Sequence, residues 1–180
     1  MKNKIFYAFL GFSIVTILTG CGKETDYSER LETKGKCVAT ECIKQIDVTD
    51  TVEEINEIIG FEGELIDEEY NSYLWDLSEN SELEATYYSS DEAYITIYVD
   101  EEVFKNDKVD FSKYDEIEEL LDNGESLTYD EFVKKVGDEG VLVEKTPYST
   151  EYLWVNSDGG YLNATFQNSS GKCSFVSGWF

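Results

Sequence analysis

Thr51-Val-Glu-Glu-Ile-Asn-Glu-Ile-Ile-Gly-Phe-Glu-Gly-Glu-Leu-Ile66 returns 77 positions later as Thr128-Tyr-Asp-Glu-Phe-Val-Lys-Lys-Val-Gly-Asp-Glu-Gly-Val-Leu-Val143. Each copy opens on a threonine with a glutamate three residues on, Thr51 with Glu54 and Thr128 with Glu131. This is the capping-box spacing: the hydroxyl accepts from the third helical amide, and the carboxylate reaches back to the cap. Ile55, Ile58 and Ile59, and then Phe132 and Val136, give a short helix one apolar side. Gly60 and Gly137 follow, each placed to end its helix in the left-handed conformation.

The match extends on both sides of this stretch. After a two-residue slip, Tyr73-Leu74-Trp75 falls on Tyr152-Leu153-Trp154, and Leu83-Glu84-Ala85-Thr86-Tyr87 on Leu162-Asn163-Ala164-Thr165-Phe166. A repeat of this length means one supersecondary unit used twice. Upstream of the second copy, Phe111, Tyr114, Ile117, Leu120 and Leu121 recur at helical spacing, and Ala39 to Ile46 is a shorter counterpart in the first. Downstream of each copy come short strands separated by turn residues. The expected class is therefore α+β, with two tandem helix-helix-antiparallel-sheet units. Unit one is placed at 37–106 and unit two at 107–180.

Turn length sets which side chains face the core. If Ser157-Asp158-Gly159-Gly160 are all loop, Asn156 pairs with Tyr161. Alternation then puts Leu153, Val155, Leu162, Ala164 and Phe166 inside, and Tyr152, Trp154, Asn156, Tyr161, Asn163 and Thr165 outside. The same logic at Ser78 to Ser81 predicts Leu74, Leu83, Ala85 and Tyr87 inside, with Tyr73, Trp75, Glu82, Glu84 and Thr86 outside. The faces of 93–99 and 172–179 stay open at this level.

Residues 1–20 carry a different message. Lys2 and Lys4 precede the apolar run Ile5 to Leu18, which ends in Leu18-Thr19-Gly20-Cys21, the layout of a secretory signal with a small-residue cleavage site. A bilayer-spanning helix needs about 20 apolar residues, and this run is shorter and interrupted by Gly11, Ser13 and Thr16. The tetrapeptide resembles the bacterial lipobox, which implies diacylglycerol on the Cys21 sulfur and cleavage just before it. The expected location is the extracytoplasmic side of the cell membrane, with acyl chains as the anchor. Residues 21–36, polar and without apolar periodicity, read as the lipidated cysteine and its flexible tether.

Composition narrows the chemistry. The chain holds 14 basic and 39 acidic residues, a net charge of −25, and loss of Lys2 and Lys4 with the signal lowers it further. Such a surface repels nucleic acid and anionic headgroups, so no nucleic-acid partner is expected, and the bilayer is reached through acylated Cys21 alone. The chain has no histidine, which removes the usual general base and the commonest zinc ligand. Paired acids such as Glu53-Glu54 and Glu118-Glu119 fall at helix starts and ends, where they are solvated faces. No catalytic residue, metal ligand or cofactor is assigned, and an enzyme is not expected. With Cys21 acylated, three cysteines remain; export permits oxidation, and a Cys37–Cys42 bridge requires Cys37 to lie before the helix start. Cys173 reads as a small buried hydrophobe.

The twice-used pattern of threonine-glutamate cap, paired glycines and Tyr-x-Trp (Thr51, Glu54, Gly60, Gly63, Tyr73, Trp75; Thr128, Glu131, Gly137, Gly140, Tyr152, Trp154) resembles the beta-lactamase inhibitor protein-like repeat. The single unit is also similar to that of outer-membrane assembly lipoproteins of the SmpA/OmlA kind. The glycine-methionine pair that often precedes the threonine is replaced here by Thr49-Asp50 and Ser126-Leu127, and the inhibitor's disulfides have no counterparts. The resemblance implies a joined sheet whose open face grips a partner. The expected binding surface is Tyr73, Trp75, Tyr152, Trp154 and Tyr161, and its acidic surroundings favour a basic or polar protein or peptide. A structural or envelope-assembly lipoprotein without a discrete target is the alternative.

Overall fold

The computed structural model describes residues 39–78, 81–88, 91–99, 104–106, 108–109 and 111–179. The signal segment, Cys21, the tether and Cys37 lie outside the described residues. Two helices, α1 (Ala39–Gln45) and α2 (Val52–Ile59), lead into strands β1 (Glu64–Asp67), β2 (Ser72–Ser78), β3 (Ser81–Thr86) and β4 (Tyr94–Val99). After the short β5 (Lys105–Asn106) and a 3-10 turn at Phe111–Lys113 come α3 (Tyr114–Asp122) and α4 (Tyr129–Val136). The chain then continues as β6 (Val141–Lys145), β7 (Ser149–Asn156), β8 (Tyr161–Gln167) and β9 (Cys173–Trp179). The fold is mixed α/β and mostly β. The nine strands among the described residues form one sheet in the order β1-β2-β3-β4-β6-β7-β8-β9, all antiparallel except β5, which runs parallel beside β7.

Local chemistry sets the helix ends as the sequence predicts. Thr51 and Thr128 both sit in extended conformation and complete their capping boxes with Glu54 and Glu131. Hydrogen bonds from Thr51 and Thr128 hold both glutamates below the ordinary carboxylate range. Gly60 and Gly137 take φ of 97° and 88° and donate back to Asn56 and Val133.

All four described helices lie on one side of the sheet. Ile55 and Ile59 of α2 join Cys42, Ile43 and Ile46 over Trp75, Leu83, Ala85, Ile95 and Ile97. Phe132 and Val136 of α4, with Ile117 of α3, cover Trp154, Leu162, Ala164 and Phe166. β4 joins β6 through Ile95↔Lys145 and Thr96↔Glu144, so the sheet is continuous across the junction between the two halves. Lys145 reinforces that junction by donating to the carbonyls of Ile46 (2.7 Å) and Lys44 (3.4 Å) at the end of α1.

The register corrects one expectation. Trp75 and Trp154 lie beneath the helices, 0% and 1% exposed, and not on the open face. In β7 the loop has three residues, Ser157 to Gly159, with Gly159 at φ 86° and the Asn156 amide donating to Gly160. Val155 therefore pairs with Tyr161, one step from the expected register. A type I turn followed by a left-handed glycine is the standard three-residue hairpin. In β2, Ser78 and Ser81, read from sequence as loop, pair with each other without changing the expected register, but a bulge between Asp76 and Ser78 shifts the rest, so that Trp75 meets Leu83. A slip of one residue turns a whole strand over. β3 and β8 keep the faces read from sequence, while β2 and β7 are reversed.

The reversal explains the second glycine of each pair. Trp75 Nε1 donates to Asn56 Oδ1 (2.8 Å), which also accepts from the Gly63 amide (2.9 Å). Trp154 Nε1 donates to the Asp138 carbonyl (2.8 Å), while the Asp138 carboxylate accepts from the Gly140 amide (2.8 Å) and from Asn106 (2.7 Å). Each indole rests on a glycine: a Cβ at Gly63 or Gly140 would lie 2.5 or 2.4 Å from the ring. Gly-x-x-Gly with Tyr-x-Trp is thus a packing motif. Tyr73 and Tyr152 share the helix side and stand half-buried against their tryptophans.

Candidate binding surface

Residues directly opposite one another in a ladder point to the same side. Following the pairs across the sheet gives one continuous row on the side away from the helices: Glu64, Leu74, Glu84, Thr96, Glu144, Glu151, Thr165, Phe175. At the usual strand separation of about 4.8 Å, Glu84 to Glu151 spans about 14 Å. Asp76, Glu82, Tyr94 and Tyr98 belong to the same side. In β1–β4 and β6–β9 no lysine or arginine does. Lys105 of β5 registers beside Val155, toward the far end of β7 from Glu151.

Hydroxyl groups hold the row in place. Glu84 accepts from Tyr98 (2.9 Å) at one oxygen and from Thr86 (3.1 Å) at the other, and Thr86 is bonded in turn to Ser72 (2.9 Å). Burial and the adjacent Glu84 carboxylate raise the Tyr98 phenol well above its ordinary value. Glu144 and Glu151 stand opposite one another on neighbouring strands. Glu151 is 8% exposed; burial, and then the charge of Glu144, raise its carboxyl to about 7, while the Thr165 hydroxyl at 3.3 Å acts in the other direction. Burial likewise raises Glu144, against the effect of the Thr96 hydroxyl. Two like charges held side by side out of water destabilise each other.

One end of this face is rimmed by tyrosines. Tyr88 meets Tyr70 edge-on at 5.7 Å and Tyr94 at 4.9 Å between ring centres. Burial raises Tyr88 and Tyr94, with Glu84 and Glu144 adding to the first and Tyr148 and Glu144 to the second, so rim and carboxylates are neighbours. Tyr70, Tyr88 and Tyr148 are 42%, 54% and 71% exposed, although Tyr has a large apolar ring to bury. Toward the other end, Leu153 and Val155 are buried in a cluster that includes Val99, Phe104, Val141 and Tyr161.

Of the residues expected to form the surface, Tyr161 alone is placed on the open side, half-buried opposite Val155 and Trp179. Tyr73, Trp75, Tyr152 and Trp154 are with the helices. The sequence reading missed Tyr70, Tyr88, Tyr94, Tyr98 and Tyr148. Glu84, already read as outside, is joined by Glu144 and Glu151 only through the pairing of β4 with β6. Cys42 is disulfide-bonded, to a partner outside the described residues, and Cys173 is a buried free thiol. Among the described residues no group of histidine, cysteine and acidic side chains is placed to hold a metal ion, and no helix is long and apolar enough to cross a membrane. No family model, no curated protein and no solved structure matches this chain.

Proposed function

We propose that this chain is a lipoprotein held to the extracytoplasmic side of the cell membrane by acylated Cys21, and that the open face of its sheet binds a basic segment of a protein partner. The supporting observation is the row Glu84, Glu144, Glu151, with no base in β1–β4 or β6–β9 on that side, next to an exposed tyrosine rim. Carboxylates and aromatic faces together suit guanidinium and ammonium groups, through charge-assisted hydrogen bonds and cation–π contact. A cation brought to Glu144 and Glu151 offsets a repulsion that the free protein carries. The repeated order of two helices and four strands, with matching caps and tryptophan seats, supports reading the chain as two tandem inhibitor-like units that share this face.

The binding test is capture from solubilised cell envelope by the chain lacking residues 1–20. Tyr88→Ala with Tyr148→Ala removes exposed rings, so thermal stability should hold while capture falls at least tenfold. Raised salt should weaken capture, because salt screens the long-range attraction between an acidic face and a basic segment. Equal capture by the variant, or no captured protein at all, would leave the structural envelope reading in its place. The anchor is tested separately by mass spectrometry of the mature N-terminus, where diacylglyceryl-Cys21 is expected. An unmodified cysteine, or cleavage elsewhere, refutes it.

A further inference from the structure

The same strand positions carry different polar groups in the two halves. In the first, Glu84 on β3 accepts from Thr86 and Tyr98, and Thr86 is bonded to Ser72. At the matching positions of the second half, 79 residues on, stand Glu151 for Ser72, Asn163 for Glu84 and Thr165 for Thr86. Trp179 takes the place of Tyr98, since Tyr98 pairs with Glu82 and Trp179 with its counterpart Tyr161. The hydroxyls of Ser72 and Tyr98 thus have no counterpart, while two acceptors remain. Thr165 donates to Glu151 (3.3 Å), and Asn163 Oδ1 is buried without a hydrogen-bond partner.

An acceptor left unpartnered out of water destabilises the free protein, and a ligand that donates to it removes that penalty. Asn163 lies on the open side, two residues along β8 from Thr165, and pairs with Leu153 and Ser177. Diagonal neighbours on adjacent strands are about 7 Å apart, which puts Asn163 and Glu151 within reach of a single donor group. Both lie below the surface, 5% and 8% exposed, so what reaches them is the tip of a long side chain. Trp179, diagonal to Asn163 on β9, is 65% exposed and offers an aromatic face. We infer that Asn163, Glu151 and Trp179 form a subsite for one arginine side chain of the basic segment, an assignment that rests on the open-face binding proposed above. A guanidinium brings five donors in one plane, stacks on aromatic rings and is more weakly hydrated than an ammonium, so it enters a buried site more readily than lysine. Its charge meets Glu151 and, on the neighbouring strand, Glu144.

Acetylated, amidated tetra-arginine and tetra-lysine peptides are the probes, titrated calorimetrically at low salt into the full chain in neutral detergent. The arginine peptide is expected to bind at least tenfold more tightly, and to shift the Asn163 side-chain amide signals in NMR spectra. Asn163→Leu should bring the two peptides level and, by removing an unsatisfied buried group, leave Tm unchanged or higher. Trp179→Ala, at an exposed position, should lower the arginine preference at least threefold. Equal affinity of the two peptides for the unchanged chain overturns the subsite and leaves the basic-segment reading standing, whereas no binding of either overturns both. A preference that survives either substitution also overturns the subsite. So does a lower Tm for Asn163→Leu, which would show the acceptor to be satisfied within the fold.

Discussion

Alanine at Gly140 is expected to destabilise the fold by about 3 kcal/mol or more, a large value for one added methyl group. Two separate costs meet at this residue. The new Cβ would lie 2.4 Å from Trp154 Cε2 and 2.7 Å from its Nε1. The ring cannot move aside easily: it is 1% exposed, Phe132 packs 5.0 Å from its centre, and its Nε1 bonds the Asp138 carbonyl. Gly140 also has φ +68°, and a side chain in that region costs about a further 1 kcal/mol.

Gly63→Ala separates the two costs. It meets Trp75 at 2.5 Å without a left-handed φ, so it should lose about 2 kcal/mol. Gly137→Ala supplies the opposite control, a left-handed φ of +88° whose nearest neighbour is the Lys108 carbonyl at 3.2 Å, and it should lose about 1 kcal/mol. Urea denaturation of the three variants gives the ordering directly. Trp154→Phe placed on Gly140→Ala should recover part of the loss, since the smaller ring leaves room for the methyl group. A loss at Gly140 no larger than at Gly137 would mean that the indole shifts freely and that these glycines are not its seats.

The same pair of residues shows how far a sequence can be read. Capping boxes and helix ends are local, set by residues three to nine apart, and Thr51, Thr128, Gly60 and Gly137 are all found where such rules put them. Facing is not local in this way. It depended on whether one hairpin loop has three or four residues and on one bulge near Leu77, differences of a single residue that alternation amplifies over a whole strand. The paired glycines held a clue: a residue without a side chain that precedes a tryptophan in both copies, Gly63 before Trp75 and Gly140 before Trp154, is space for that tryptophan. The carboxylate row was out of reach for another reason. Glu84 and Glu151 come from different halves, and they fall into one line only because β4 pairs with β6 over two residues.

Glu151→Gln is expected to make the protein more stable at pH 8, by about 2–3 kcal/mol or about 5–10 °C in Tm, and to remove most of its loss of stability between pH 5 and 8. The sign follows from the direction of the shift. The Glu151 carboxyl titrates near 7 in the folded chain and near its ordinary value when unfolded, so the folded state holds the proton more tightly. Its stabilisation is complete below about pH 4.5 and is lost as pH rises through 7. Glu144, raised by burial, adds in the same direction. The cap residues Glu54 and Glu131 and the turn residue Asp47 are lowered, and their contribution is lost in acid instead, which leaves pH 5 to 8 to the buried pair. Calorimetry of both proteins at the two pH values measures the effect, and a wild-type Tm that does not fall with pH would refute it. Packing alone gives no reason to keep two acids opposite one another out of water, since Gln at either position would hold the sheet better. If the basic partner proposed above sits on this pair, the variant that folds best should bind worst, and binding near pH 6 should release a proton from Glu151.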